Sequence, residues 1–319
     1  MRILVTGGAG YIGATAVDIL LTQGFDVTVL DDCSTGHADS VPSQARFIEG
    51  SLLDAHTVRE ALTGASAVLH FAGKSLVGES VVKPDLYHEV NVHGTRILLE
   101  EMRTAAIQRI VFSSSAATYG EPVTTPILES AATSPTNPYG ETKLAVDNIL
   151  TQEGQLHGLG AISLRYFNVA GAHKSQRGWL PERHDTETHL IPNVLRSTPD
   201  KPVKIFGTDW STVDGTCIRD YVHVVDLIDA HISALQKIQL GSHEVINLGS
   251  GRGYSVREVL SAASSALGHQ IPAQDSSRRS GDPAVLLADI KKASTYLGWT
   301  PTRDLLAMVT DTAASFQLS

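Results

Sequence analysis

The chain has few cysteines and no excess of positive charge. Its 319 residues contain two cysteines, Cys33 and Cys217, and carry a formal net charge of −9. Two thiols without a C-x-x-C spacing predict neither a disulfide framework nor a zinc site, so we predict no metal. Nucleic acid is disfavoured as a partner because its binding usually requires a basic face. A local phosphate site is still compatible with this charge, since a helix N-terminus and a few arginines can form one.

Long apolar runs are also missing. No stretch of about 18 apolar residues is present, which predicts no membrane span. The N-terminal residues MRILVTGGAGYIG lack the apolar region of roughly 7–15 residues that a secretory signal requires. We therefore expect no membrane partner and a cytoplasmic location.

Short apolar runs alternate with helical segments in the first half of the chain. The strand-like runs lie at 3–5, 25–30, 67–71, 109–112 and 161–167, and helical segments at 11–23, 86–103 and 138–157. This alternation favours a parallel sheet covered on both faces, with right-handed crossovers. We predict an α/β protein: a Rossmann-like doubly wound parallel sheet in residues 1–170 and a smaller C-terminal α/β lobe in 171–319. Some later segments are expected to return to the first domain.

Glycines follow the first strand and precede the first helix. Gly7, Gly10 and Gly13 permit a tight turn and close approach of the backbone to a pyrophosphate. The helix start adds free N–H donors and partial positive charge. In this context the glycines predict a dinucleotide site, although a purely structural glycine turn has the same spacing.

Asp31 ends the second strand, 18 residues after Gly13. A carboxylate at this place accepts hydrogen bonds from the adenosine ribose and repels a 2′-phosphate, which favours NAD over NADP. The surrounding residues Asp32 to Gly36 are also typical of turns, so a turn role for Asp31 stays open.

Tyr139 and Lys143 are four residues apart at a helix start, where Asn137 can cap and Pro138 suits the first position. A tyrosine has an ordinary pKa near 10 and needs a stabilised phenolate to act as a base near neutral pH. Lys143 and the helix N-terminus are expected to lower this pKa. A surface pair is the alternative, since such a spacing is common.

The hydroxyl-rich run of Ser113, Ser114 and Ser115 ends the strand that starts near residue 109. Ligands bind at the carboxyl ends of the strands in such sheets. We expect Ser115 to hydrogen-bond a reacting hydroxyl of the substrate. Turn and backbone hydrogen bonds are the expectation for the other two.

Together these motifs resemble the extended short-chain dehydrogenase/reductase family, and within it the 4-epimerases of UDP-sugars. The resemblance covers essentially the whole chain. It includes the segments 7–13, 70–73, 77–80, 91–95, 113–115, 139–143, 165–168, 205–207, 214–216, 219–223 and 247–249.

The resemblance implies roles for three groups of residues. The catalytic group is Tyr139, Lys143 and Ser115. The implied cofactor positions are Gly7, Gly10, Tyr11, Ile12, Gly13, Asp31, Ser34, Thr35, Gly36, Ser51, Leu52, Phe71, Ala72, Gly73, Ser75, Asn91, Ser113, Tyr139, Lys143, Tyr166 and Phe167. The implied substrate positions are Ser115, Tyr139, Asn168, His189, Leu190, Phe206, Arg219, Arg279, Asp282 and Leu286.

Several of these positions depart from the family or have simpler interpretations. Ser51 stands where the family often has an aspartate near the adenine, and Ser75 where some members have a lysine, with Lys74 offset by one. The guanidinium groups of Arg219 and Arg279 suit a diphosphate, although a surface salt bridge explains each equally well. Leu286 either lines the C2 side of the sugar pocket or packs in the core.

The implied activity is interconversion of UDP-glucose and UDP-galactose at C4, by transient oxidation with tightly bound NAD through a 4-keto sugar. A homodimer is also implied, with pairing between the helices at 86–103 and 142–156. The alternatives are an epimerase of UDP-GlcNAc and UDP-GalNAc or of UDP-arabinose, a nucleotide-sugar dehydratase or decarboxylase, and a non-catalytic NAD-sensing regulator. A dehydratase is disfavoured because residues 116–120 offer no carboxylate after the serines.

Overall fold

The computed structural model describes residues 1–184, 186–279 and 282–318. Its strands are β1 (Arg2–Thr6), β2 (Asp26–Asp31), β3 (Arg46–Glu49), β4 (Ala67–His70), β5 (Arg109–Ser115), β6 (Gly160–Tyr166), β7 (Asn168–Ala170), β8 (His173–Ser175), β9 (Gly178–Leu180), β10 (Val203–Phe206), β11 (Ile218–His223), β12 (His243–Leu248), β13 (Gly253–Ser255), β14 (Ala273–Ser276) and β15 (Val285–Leu286). Its α-helices are α1 (Tyr11–Thr22), α2 (Ala55–Ala61), α3 (Val77–Val82), α4 (Pro84–Tyr87), α5 (Gly94–Thr104), α6 (Pro138–His157), α7 (Leu190–Leu195), α8 (Val224–Lys237), α9 (Val256–Leu267) and α10 (Leu305–Ser315). Tighter 3₁₀ turns lie at Ala38–Ser40 and Ala116–Tyr119, and wider π-type turns at His88–His93 and Ala293–Leu297.

A seven-stranded parallel sheet forms the centre of the molecule, in the order β12-β6-β5-β4-β1-β2-β3. The chain builds this sheet outward from β1, first toward β3 and then, from β4, toward β12. The strand order therefore reverses between β1 and β4, and ligands of such sheets bind outside the carboxyl ends of the strands at that point. The predicted Rossmann-like doubly wound fold is confirmed.

Helices cover both faces of the sheet, and β1 shows why. Successive side chains of a strand point to opposite faces. Ile3 and Val5 belong to a cluster with residues of α1 and α8, whereas Leu4 belongs to a second cluster with residues of α2, α5 and α6. All three side chains are fully buried, which explains why β1 is a continuous apolar run in the sequence.

The helix α6 occupies the predicted range 138–157. The Asn137 side chain accepts a hydrogen bond of 2.9 Å from the Gly140 N–H, and Pro138 takes the first position. By contrast, the helix predicted at 86–103 is divided into α4, the turn His88–His93 and α5. Leu98, Ile149 and Leu150, which lie in the two helical segments expected to pair across a dimer, are buried in the core of the chain itself.

The C-terminal half forms smaller sheets around a separate apolar cluster. There β11 pairs with β13, β15 and β7, and β10 pairs with β14. The strand β12 also comes from this half of the chain, but it pairs with β6 in the large sheet. The division of the chain near residue 170 stays a prediction. Within the described residues, no helix is both long and apolar enough to cross a membrane.

Candidate active site

One cleft of about 1320 Å³ runs along the carboxyl ends of the central strands. The glycine turn after β1 forms one end of it, and residues of the C-terminal half form the other. The wall of the same cleft also contains Tyr139, Lys143 and Ser115. A dinucleotide and a second elongated ligand can therefore meet in one continuous space.

The turn after β1 admits only glycine at two positions. Gly7 has φ +73°, and a Cβ there would lie 2.6 Å from the backbone nitrogen of Ala72. A Cβ on Gly13 would lie 2.0 Å from the Gly7 carbonyl oxygen. Gly10 differs, because the nearest atom to its Cβ would be 3.5 Å away and the residue faces the cleft. The start of α1 can therefore approach a pyrophosphate closely.

Asp31 connects the glycine turn to the end of β2. Its Oδ2 accepts a hydrogen bond of 2.9 Å from the Ala9 N–H, and its Oδ1 accepts one of 2.8 Å from the Cys33 N–H. Burial raises the pKa of this carboxyl, and the two backbone donors oppose that shift. Each carboxylate oxygen has a second lone pair, so the turn role and a ribose contact are compatible.

Lys143 is buried one turn beyond Tyr139 on α6. Its Nζ donates a hydrogen bond of 2.8 Å to the Ser113 carbonyl and lies 4.9 Å from the centre of the Phe112 ring. Burial lowers the pKa of Lys143 from 10.5 to about 8, while the carboxylate of Asp147, one further turn along α6, acts in the opposite direction. An ammonium that loses its proton near neutral pH is suited to relaying one.

Burial raises the pKa of Tyr139 above its ordinary value of 10, and the Ser115 hydroxyl acts against this rise. This differs from the expected lowering by Lys143 and the helix start. The reason is that Tyr139 is partly withdrawn from solvent, so the loss of hydration of a phenolate outweighs the opposing hydrogen bond from Ser115. A bound group with positive charge beside Tyr139 would shift the balance toward the phenolate.

The three serines at the end of β5 differ in their contacts. The Ser113 hydroxyl hydrogen-bonds the hydroxyl of Tyr166, and the Ser114 hydroxyl donates to Asp147 at 3.2 Å. Ser115 accepts a hydrogen bond of 3.1 Å from the Ala117 N–H and faces the cleft. Its hydroxyl lies within hydrogen-bonding reach of Tyr139 and at the cleft, which suits the predicted role.

At the far end, Asp282 lies between two arginines. Its Oδ2 is 2.9 Å from Arg279 Nε, and its Oδ1 is 3.7 Å from Arg219 Nη2. Arg219 also donates a hydrogen bond of 2.9 Å to the Pro283 carbonyl. Leu286 is in β15, directly opposite Arg219 in β11, and faces the same cleft.

Most of the predicted positions line this cleft. They are Gly7, Gly10, Tyr11, Ile12, Gly13, Asp31, Ser34, Thr35, Gly36, Ser51, Leu52, Phe71, Ala72, Gly73, Ser75, Ser113, Ser115, Tyr139, Lys143, Tyr166, Phe167, Asn168, His189, Arg219, Arg279, Asp282 and Leu286. Asn91, Leu190 and Phe206 lie outside the wall. The Asn91 amide instead joins the backbone of Lys74 to the hydroxyl of Thr142 on α6.

Sequence reasoning missed several residues of the wall. Lys74, set aside as offset by one position, lines the cleft, and its Nζ donates a hydrogen bond of 3.1 Å to the Ser34 hydroxyl. Glu182 and His184 line it as well; the polar run that contains them was assigned only to the C-terminal lobe. The density of charges in that run was the available signal.

Residues 173–184 cross from the C-terminal half to the loop after β2, and we call this segment the strap. Arg177 donates a hydrogen bond of 2.7 Å to the Ser40 carbonyl, and Arg183 pairs with Asp39 at 2.9 Å. His173 lies 2.8 Å from Asp18 on α1. Tyr11 donates a hydrogen bond of 2.5 Å to the Gly171 carbonyl, just before the strap. The strap therefore bounds the dinucleotide end of the cleft.

Comparisons with known proteins agree with this geometry. Residues 3–249 match the NAD dependent epimerase/dehydratase family. The chain is 48% identical to the UDP-glucose 4-epimerase of Corynebacterium glutamicum, over 99% of this chain and 95% of that one. It is 49% identical to the UDP-glucose 4-epimerase of Streptomyces lividans, over 97% of this chain and 94% of that one.

A solved structure shows the same similarity. The crystal structure of UDP-glucose 4-epimerase from Brucella ovis in complex with NAD superposes with a TM-score of 0.94, at 40% identity, and covers 100% of this chain and 99% of that one. The match extends over the sheet, the cleft and the C-terminal half together. The chain belongs to the NAD dependent epimerase/dehydratase family.

Proposed function

We propose that this protein is an NAD-dependent UDP-glucose 4-epimerase, which interconverts UDP-glucose and UDP-galactose. The observation that carries the proposal is that Tyr139 and Ser115 lie in one cleft between a dinucleotide-binding turn and a pair of arginines. Similarity to UDP-glucose 4-epimerases over nearly the whole chain supports the same activity.

The cleft fits NAD. A Cβ at Gly7 or Gly13 would collide with the backbone, so the tight turn requires glycine at both positions. Such a turn lets the backbone approach a pyrophosphate closely. Asp31 is placed to hold the adenosine ribose and to disfavour a 2′-phosphate. Apart from Asn91, the implied cofactor positions from Ser51 to Phe167 line the cleft. NAD held by these residues would supply reversible hydride transfer with C4 of the sugar.

The residues of this chain manage the proton of the 4-hydroxyl. Tyr139, as phenolate, takes that proton while the C4–H bond breaks, and gives it back to the opposite epimer. Ser115 hydrogen-bonds the same oxygen and keeps it within reach of Tyr139. Lys143 supplies the positive charge that a buried phenolate requires. Because both the proton and the hydride are returned to the sugar, neither the cofactor nor Tyr139 is consumed in a turnover.

The other end of the cleft supports a nucleotide diphosphate as the anchor. Arg219 and Arg279 can place planar donors on the diphosphate, and Asp282 can accept from a ribose hydroxyl. Asp282 lies beside both arginines and offsets only one of their two positive charges, so the salt bridge and a role in binding a diphosphate are compatible. Anchoring by the nucleotide leaves the sugar free to present either face at C4.

A dehydratase is the weaker alternative within the same family. Such an enzyme needs a second proton donor beside the serine. Among the described residues of the cleft wall between Ser115 and Tyr139, namely Ala116, Ala117, Gly120, Thr136 and Asn137, there is no carboxyl group. An epimerase of UDP-arabinose or of the N-acetylated pair uses the same machinery, so the sugar pocket rather than the catalytic group decides between them. The homodimer implied by the resemblance and the cytoplasmic location expected from the sequence belong to this proposal.

The test is incubation with UDP-galactose and no added NAD, followed by chromatographic identification of the product. We expect UDP-glucose at an equilibrium ratio that is the same from either substrate. Boiled protein should release NAD and little NADP. Free keto sugar, loss of water from the sugar, or dependence on added NAD for every turnover would contradict the proposal. An NAD sensor without catalysis would leave UDP-galactose unchanged.

A further inference from the structure

Two carboxylates and two imidazoles meet at the end of the strap, two from the strap itself and two from the residues that follow it. Glu182, His184, Glu187 and His189 each offer one ligand atom, and these atoms lie within 4.8 Å of one another. The side chains of Glu182 and Glu187 are only 4% and 7% exposed, whereas the histidines are partly open toward the cleft. The proton transfer between Tyr139 and the sugar uses none of these four groups, although the resemblance also implies a substrate contact for His189.

The four groups lie close to the spacing of a coordination shell, and small side-chain shifts would bring all four to one ion. His189 Nδ1 lies 2.7 Å from Glu182 Oε1 and 3.3 Å from Glu187 Oε1. His184 Nδ1 lies 3.1 Å from Glu182 Oε1 and 4.0 Å from Glu187 Oε2. Around a tetrahedral Zn²⁺ with bonds of about 2.0–2.2 Å, neighbouring ligand atoms are roughly 3.4 Å apart. The four His-to-Glu distances, from 2.7 to 4.0 Å, lie on both sides of that value.

These atoms are close but poorly paired. The Nδ1 atoms of His184 and His189 and the Oε2 atom of Glu187 are shielded from solvent and have no hydrogen-bond partner among the described residues. Buried polar atoms are rarely left so, because the loss of hydration is not compensated. In ordinary ion pairs the imidazole N–H would point at a carboxylate oxygen. The His–Glu contacts at 2.7–3.3 Å are close enough for ion pairs, but the poor alignment of their N–H groups also fits four ligands arranged around one ion.

We propose that Glu182, His184, Glu187 and His189 bind one divalent transition-metal ion, with Zn²⁺ as the ion that fits best. Imidazole nitrogen and carboxylate oxygen are both zinc ligands, and the group contains no thiolate that would favour a softer ion. The ion would join the end of the strap to His189, which immediately precedes α7. Its role is structural, since Tyr139 and Lys143 already account for proton transfer.

The first experiment measures zinc binding by the NAD-containing protein after treatment with a chelator and its removal. Zinc is titrated in competition with a chromophoric chelator. We expect one Zn²⁺ per chain, with at least micromolar affinity. Glu187→Gln and His184→Ala should each weaken binding at least about 100-fold, since loss of an outer-shell partner alone typically costs 10–100-fold. The control His269→Ala changes an exposed histidine outside the cluster and should bind zinc as the wild type does.

A second variant distinguishes direct ligation from misfolding. His184→Cys keeps a zinc ligand at the same place, so it should retain binding. With Co²⁺ in place of Zn²⁺, this variant should gain a thiolate-to-cobalt charge-transfer absorption that the wild type lacks. The proposal is overturned if the wild type binds no more zinc than a Glu187→Gln, His184→Ala double variant. It is equally overturned if His184→Cys binds Co²⁺ without that absorption. Neither measurement depends on the epimerase activity.

Discussion

The Lys143 ammonium nitrogen lies 5.7 Å from the centre of the Tyr139 ring, and its hydrogen bond goes to the Ser113 carbonyl rather than to the tyrosine. The lysine therefore acts on Tyr139 through its charge, at a distance, while the protein backbone fixes its position. Its influence on the phenolate depends on the protonation state of Lys143, which makes the pair sensitive to pH.

Removal of the Tyr139 hydroxyl should stop proton transfer without disturbing the fold. In Tyr139→Phe we expect kcat to fall about 10²–10⁴-fold, the usual contribution of a general acid or base. The NAD content of the purified variant should stay that of the wild type. Tyr296→Phe removes a hydroxyl outside the cleft and is the matched control. Turnover near the wild-type value in Tyr139→Phe would exclude the tyrosine as the base.

Replacement of Lys143 should change the pH profile as well as the rate. In Lys143→Met the positive charge is absent at every pH, so the pKa of Tyr139 rises further and kcat should increase with pH over the alkaline range. In the wild type, Lys143 has a pKa of about 8 and loses its charge as the pH rises through that value. The advantage of the wild type over Lys143→Met should therefore be largest below pH 8 and shrink above it. A constant ratio across the range would contradict the electrostatic role.

The choice of cofactor should depend on Asp31. We expect the apo protein to bind NAD and to bind NADP poorly, because a 2′-phosphate would meet the Asp31 carboxylate. Asp31→Asn should reduce this preference and also weaken NAD binding, since the same oxygens accept the Ala9 and Cys33 N–H groups. Calorimetry on both nucleotides measures the two effects. Asp26→Asn, at the other end of β2, is the control, and equal wild-type affinity for NAD and NADP would refute the assignment.

The breadth of sugar recognition should depend on Leu286. We expect preference for UDP-glucose and UDP-galactose over the N-acetylated pair, since leucine offers no hydrogen bond to the acetamide. Leu286→Tyr should change the ratio of kcat/KM between the two pairs by about 10–200-fold, the range for one steric change in a pocket. Leu286→Met conserves the volume and should leave the ratio nearly unchanged. If the tyrosine variant keeps the wild-type ratio, Leu286 packs without contacting the sugar.

The assembly should be a homodimer. Val90, Ile97 and Leu144 stay partly exposed on the helices expected to pair. Light scattering should give twice the 34.0 kDa mass of one chain at micromolar concentration. Ile97→Glu should shift the protein toward the monomer, whereas Leu240→Glu, at an exposed position elsewhere, should not. A monomeric wild type would refute the prediction.

The sequence predicted the parts of the site that depend on local spacing. Glycines between a strand and a helix, and a Tyr-x-x-x-Lys pair after an Asn-Pro start, each specify their geometry within about eight residues. The range of α6 was predicted correctly for the same reason, because its cap, its proline and its terminal Gly158 are all local signals. The parallel sheet was predicted from the alternation of short apolar runs with helical segments alone.

Contacts between distant segments could not be predicted in this way. The hydrogen bonds of Asn91 to Lys74 and Thr142 join three separate segments, and no spacing in the sequence indicates them. The turn His88–His93 interrupts an otherwise helical pattern without a proline or glycine inside it. The prediction of no metal rested on the two cysteines alone. It did not include the glutamates and histidines near residue 185.

The strap has a consequence for the cofactor's exchange with its surroundings. Its contacts at Asp39, Ser40 and Asp18 close the end of the cleft where the dinucleotide enters. We therefore expect these contacts to slow the release of a bound nucleotide. The bound cofactor would then be insulated from the ratio of oxidised to reduced nicotinamide outside. Each molecule would keep its own redox state across many catalytic cycles.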